Sequence, residues 1–140
     1  IREFKAVCNA SGTLGGAADK DAARNKALFD AQKKEATADL GGALAKDEAD
    51  AAARVDGVPL SLVGEAYIAS GNYAKAVEVL QKALDKGQMD AGTVDLVKLR
   101  LGIAQFHAKK KADATKTWQS IKSDNGAGWL AKSWIAIAKM

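Results

Sequence analysis

Few side chains in this 140-residue sequence are spaced for chemistry. The single histidine, His107, carries an imidazole whose ordinary pKa lies near neutrality, as a general base requires. It stands at a predicted helix end beside Lys109, Lys110 and Lys111, where a solvated imidazole is the ordinary state. The single cysteine, Cys8, has no intramolecular disulfide partner and no neighbouring histidine or helix start to lower its pKa, so it reads as an inert thiol. One His and one Cys do not make a zinc site. Gly15–Gly16 lacks the Gly-Lys-Ser/Thr that completes a phosphate loop and reads as a flexible link. Asp47, Glu48 and Asp50 lack the alternating ligands and closing Glu of a calcium loop, leaving a solvated acidic helix face. No catalytic residue, metal site or cofactor is expected, and the chain reads as a non-enzyme.

Two further groups bear on binding. Lys109-Lys110-Lys111 lies in the more basic part of the chain: residues 1–97 hold twelve Lys/Arg against fifteen Asp/Glu, and residues 98–140 hold nine against two. Such a cluster can neutralise phosphates, a salt-dependent interaction, yet no basic–aromatic alternation accompanies it, and lysines also suit a helix C-terminus. Trp118, Trp129 and Trp134 read as parts of a core rather than as a base-stacking platform.

The elements that must position these residues follow from composition. Thirteen glycines, one proline, 6% aromatic residues and about a fifth alanine favour an all-α fold, since alanine is the best helix former. Alternating β-branched runs are missing, as is any stretch of eighteen apolar residues that would cross a membrane. The length suits one domain.

Helical periodicity and Gly/Asn/Pro punctuation divide the chain. A short apolar stretch with Phe4, Val7 and Cys8 ends at Asn9–Gly12, and Thr13–Ala18 reads as a loop. A helix capped by Asp19 runs to about Leu40, with a weak stripe of Ala23, Ala27, Leu28, Ala31 and Leu40. Gly41–Gly42 is expected to interrupt it, making 19–56 a divergent helix pair. Pro59 opens a helix ending at Gly71–Asn72, and the next runs from Tyr73 to Lys86–Gly87. Helices are then expected over Thr93–Lys109, Ala112–Lys122 and Trp129–Lys139. The first of these three, with Val94, Leu96, Val97, Leu99, Leu101, Ile103, Ala104 and Phe106, is apolar nearly all round, so it must be buried or present a sticky face.

The strongest pattern is a repeat. Leu60, Val63, Gly64 and Tyr67 on one helix are followed by Ala76, Leu80 and Ala83 on the next; Leu101, Gly102, Ala114, Trp118 and Ile121 restate it 38 residues later. A small residue such as Gly64 lets two helices cross closely, and is expected to face Ala76 there while Tyr67 and Leu80 fill the adjoining groove. This arrangement resembles the tetratricopeptide repeat, in which a large residue, Leu-Gly and an aromatic precede Ala, an aromatic or Leu, and Ala across a helix–turn–helix. Lys98 and Gln105 depart from the pattern, standing where Leu60 and Tyr67 stand in the first copy. The period also exceeds the usual ~34 residues of that repeat.

The resemblance implies a right-handed α-solenoid of antiparallel helix hairpins, with 57–90 and 93–122 as repeats and 127–140 as a C-terminal capping helix, the domain spanning 19–140 behind an N-terminal segment, 1–18. It also implies that the first helix of each repeat lines a peptide groove, placing Ser61, Glu65, Ile68, Leu99, Ile103 and Phe106 inward. The carboxylate-gripping members of the family use Lys and Asn at such places. Here the positions imply an apolar helix or strand as the partner, unless the chain's own N-terminal helices, Asp19–Val55, or a second copy of the chain already fill the groove. The expected role is thus a non-catalytic protein–protein interaction scaffold. The alternative is a basic accessory binding nucleic acid or an anionic surface through Lys109, Lys110, Lys111, Lys116 and Lys122. The chain also resembles small bacterial tetratricopeptide-like proteins, often exported; the start at Ile1 rather than Met is read as an upstream segment, a signal peptide being one form of it, and an exported or periplasmic location is favoured over the cytoplasm, which the lone Cys8 leaves open.

Overall fold

A computed structural model describes the backbone of residues 17–140 and the side chains of residues 22–36 and 38–140. The apolar stretch with Phe4, Val7 and Cys8, its Asn9–Gly12 end and the Gly15–Gly16 link lie outside the described residues. What is described is all-helical and divides between Gly42 and Ala43 into two units. Six helices follow in order: α1 Ala17–Ala52, α2 Val58–Ala69, α3 Tyr73–Lys86, α4 Ala91–His107, α5 Lys111–Gln119 and α6 Gly126–Lys139.

In the first unit α1 is mostly exposed: Leu28 is 48% and Leu40 45% accessible, and an exposed i,i+4 pair joins Lys26 to Asp30 at 2.7 Å. Two expectations are corrected here. Asp19 lies inside the helix rather than capping it, and Ala17 and Ala18 are helical rather than part of a loop. Gly41–Gly42 does not break the helix, which continues to Ala52, so 19–56 is one helix and a terminal turn instead of a helix pair. Each interior glycine costs only about 1 kcal/mol relative to alanine, and the Ala-rich flanks offset it.

In the second unit neighbouring helices pack in chain order, and α4 and α6 each also touch the helix two before them. Local chemistry explains the ends. Pro59 occupies the first turn of α2, where a missing N–H is harmless. Asn72, Asp90 and Asn125 cap α3, α4 and α6 by accepting backbone N–H bonds from Lys75, Thr93 and Ala127. Gly87 closes α3 at φ 66°, a left-handed conformation that glycine adopts without steric cost.

The two central pairs cross in the same way. A Cβ at Gly64 would lie 2.5 Å from the Leu80 side chain, and one at Gly102 would lie 2.1 Å from Trp118 Nε1. In each pair a glycine receives a large side chain sixteen residues on, and the pairs are 38 residues apart. The side chain facing Gly64 is therefore Leu80, not Ala76 as the pattern suggested. Gly57 N–H donates to Gly87 O at 3.0 Å, which places the start of α2 beside the end of α3 and makes that pair antiparallel.

Two cores result. Leu44, Ala51, Leu60, Val63, Tyr67, Ala76, Val79, Leu80, Ala83, Val97, Leu101 and Ala104 form the first. Leu99, Ala114, Trp118, Ala131 and Ala138 form the second, with Ile103, Phe106, Ile121, Trp134 and Ile135 packed on it. Helix α4 supplies both, which is why its sequence is apolar around its circumference.

Candidate functional site

Of the six residues expected to line a groove, Ser61 and Leu99 are buried, Ile68, Ile103 and Phe106 half-buried, and Glu65 exposed. Ser61 is buried, with its hydroxyl donating to Val58 O at 2.7 Å. Ile68 packs against the first core. Glu65 pairs with Arg100 at 2.9 Å, tying α2 to α4. Leu99 is 4% exposed, and its carbonyl accepts the buried Trp118 indole N–H at 3.2 Å. Ile103 and Phe106 belong to the second core. Over Leu99, Ile103 and Phe106 the cover comes from α6: Trp134 stacks on Trp118 with ring centroids 5.6 Å apart and sits 5.8 Å from Phe106. The sequence pattern places Leu99, Ile103 and Phe106 on an inward face but does not reveal that the C-terminal helix packs against them.

The repeat-packing residues are better placed. Leu60, Val63, Gly64, Tyr67, Ala76, Leu80, Ala83, Leu101, Gly102, Ala114 and Trp118 are all buried, and Ile121 is half-buried.

Helix α6 groups several of the exposed large apolar side chains among the described residues. Trp129 is 64%, Leu130 53%, Ile137 47% and Met140, just past the helix, 97% exposed. At about 100° per residue, these four share an arc of roughly 120° with exposed Ser133 and Ala136. The opposite side holds Gly128, Ala131 and Ala138, which are buried. Trp129 is thus corrected from core residue to surface residue, whereas Trp118 and Trp134 do pack inside. The helical period of α6 could have shown this, since its apolar residues occupy two opposed faces. No family model, curated protein or solved structure matches the chain.

A second apolar feature lies where the end of α1 meets α2. Leu44, Ala51, Pro59, Leu62, Val63 and Ala66 line an open groove of about 350 Å³, with Asp47, Asp50 and Arg54 along its edge. Leu62, 57% exposed, stands at its mouth. Beyond it Glu48, from the acidic cluster, is engaged rather than free: it accepts from Tyr67 at 3.2 Å and pairs with Lys75 at 3.1 Å and Lys82 at 3.5 Å. Glu78 bridges the same two lysines at 3.2 and 2.7 Å. Hydrogen bonding from Lys82 and then Lys75 holds the Glu78 carboxyl below its ordinary range. Hydrogen bonds raise both ammonium groups, chiefly from Glu48 for Lys75 and from Glu78 for Lys82. Burial, reinforced by Glu48, pushes the Tyr67 phenol up. Within the second unit this network fixes the last turns of α1 to the α2–α3 pair.

The basic residues form a separate patch. Lys109, Lys110, Lys111, Lys116 and Lys122 are exposed, and a recess of about 400 Å³ is lined by Phe106, His107, Lys109 and Lys111. The His107 ring is not simply solvated, for it stacks on Tyr73 with centroids 4.7 Å apart. Among the described residues no group of three or more His, Cys, Asp or Glu side chains is arranged to hold a metal ion. No described helix is long and apolar enough to cross a membrane.

Proposed function

We propose that the chain is a non-catalytic protein–protein interaction module on a tetratricopeptide-like, right-handed solenoid, with helix α6 as its docking element. The repeated glycine–large residue crossing, 38 residues apart, supports the solenoid reading. So does the packing of α4 and α6 on both helices of the pair before each, as stacked hairpins require. One observation carries the functional reading: an indole, two aliphatic side chains and a methionine exposed along a single stripe of α6. Exposed large aromatics grouped with aliphatics are the anchors that dominate protein interfaces.

The test is retention of proteins from a cell extract by the immobilised chain and by its Leu130→Glu/Ile137→Glu variant. An apolar dock retains protein through a rise in salt and loses it in the variant. Equal retention by both forms would overturn the reading.

A second reading rests on the five exposed lysines, none of which makes an ion pair with another described residue. A nucleic acid or anionic surface held there would elute as salt rises, and the α6 substitutions would leave it bound.

A further inference from the structure

We propose that the partner of α6 is a second copy of this chain, which receives the α6 stripe in its α1–α2 groove. The inference rests on the reading of α6 as a docking element and names what docks. Three observations converge on it.

The first is packing. Helix α4 is sandwiched: it packs on α3 and α2 through one core and on α5 and α6 through the other, so it buries two faces and leaves Leu96 39% exposed. Helix α6 meets α5 and α4 in the way that α4 meets α3 and α2, but among the described residues nothing covers its far side. The face carrying Trp129, Leu130 and Ile137 is therefore complementary to the flank of another helix pair.

The second is shape. The chain possesses such a flank at α1–α2, where exposed Leu62 and half-buried Pro59 and Ala66, backed by buried Leu44, Ala51 and Val63, line a groove of about 350 Å³. The groove is open to solvent, so an aliphatic anchor such as the Leu130 side chain can lie against Leu62, Pro59 and Ala66.

The third is charge. The charged residues of α6 are Lys132 and Lys139, with no acidic residue in the helix. Both project on one side of the apolar stripe, about 100° from its centre at the helical period. The groove edge carries Asp47 and Asp50 against Arg54, one net negative charge. A basic-flanked ridge thus meets an acidic-edged groove. Ridge and groove lie on different helices, so the contact is heterologous, and repeated addition builds a chain or ring of copies rather than a closed two-fold dimer.

Sedimentation of the purified full chain over a concentration series tests this. The wild type is expected to form species beyond the dimer as concentration rises. Leu130→Glu disables the ridge and Leu62→Glu the groove; both positions are exposed, and circular dichroism checks that each variant folds. Each alone is expected to associate about tenfold or more weakly, the effect of losing one interface anchor. The two mixed are expected to form a 1:1 dimer and stop there, because one intact ridge meets one intact groove. Asp47→Lys/Asp50→Lys is expected to weaken association, and Lys132→Asp/Lys139→Asp mixed with it to restore association. A wild type that stays monomeric overturns the inference, as does a mixture that fails to dimerise. If the extract test succeeds where sedimentation finds only monomer, the docking function stands with a different protein as partner.

Discussion

Replacing Gly102 by alanine tests the helix crossing on which the second hairpin depends. The new Cβ would lie 2.1 Å from Trp118 Nε1 and 2.5 Å from Cδ1 and Cε2, so the indole must move by an ångström or more. It has little room. Trp118 is 1% exposed, its N–H is committed to Leu99 O, and Phe106 and Trp134 adjoin its ring. Overpacking of this kind costs about 1–3 kcal/mol, and a strained indole bond forfeits about 0.5–1.5 kcal/mol more. Alanine returns about 1 kcal/mol of helix propensity. The net destabilisation is about 1–3 kcal/mol, or a melting point lowered by roughly 5–20 °C for a unit of this size. Gly41→Ala is the control: no atom lies within 4 Å of its Cβ, so the same exchange should gain about 0.5–1 kcal/mol of local helix stability, read by amide exchange along α1. Thermal and denaturant unfolding followed by circular dichroism measure the Gly102 effect. A Gly102→Ala protein melting at or above the wild-type temperature would refute the close crossing.

Leu99→Asp places a carboxylate in the second core beside Trp118 and should unfold that region, costing about 4 kcal/mol or more; a folded variant by circular dichroism would show that the site is open. Leu130→Glu, at an exposed position, should stay within about 0.5 kcal/mol of wild type in denaturant unfolding, so any loss of binding reports the surface itself. Acid should destabilise the fold in a defined direction. Glu78, held down by Lys82 and Lys75, and Asp90, held down by Thr93, have folded pKa values below their ordinary 4.5 and 3.8. Their stabilisation is complete above those ordinary values and lost as pH falls through the depressed ones. Glu78→Gln should therefore flatten the acid limb of a stability–pH profile, and an unchanged limb would remove Glu78 from the account.

The helical class was legible because composition acts everywhere at once: abundant alanine and one proline leave few alternatives. The closeness of the crossings was legible because Gly64 and Gly102 recur at a fixed spacing and only a small residue admits a second helix there; that Leu80, not Ala76, meets Gly64 was not, because side-chain direction is set by the crossing itself. Gly41–Gly42 misled because a glycine pair weakens a helix without forbidding it, and sequence punctuation records the weakness alone. The covering of Leu99, Ile103 and Phe106 was hidden for a different reason. Leu99, Ile103 and Phe106 occupy the inward face that the repeat pattern implies, but what covers that face is decided by Trp134 and Ile135, distant in sequence. Conversely, Trp129 looked like core because large aromatics usually are; its exposure follows only once α6 has turned its other side to α4 and α5.

Oxidative footprinting of the chain, first dilute and then associated with its partner, tests the docking role of α6 most directly. The account predicts that Trp129, Leu130, Ile137 and Met140 lose reactivity on association while buried Trp118 stays unreactive throughout. Unchanged reactivity along that stripe, with protection at Lys109, Lys110 and Lys111 instead, would contradict it.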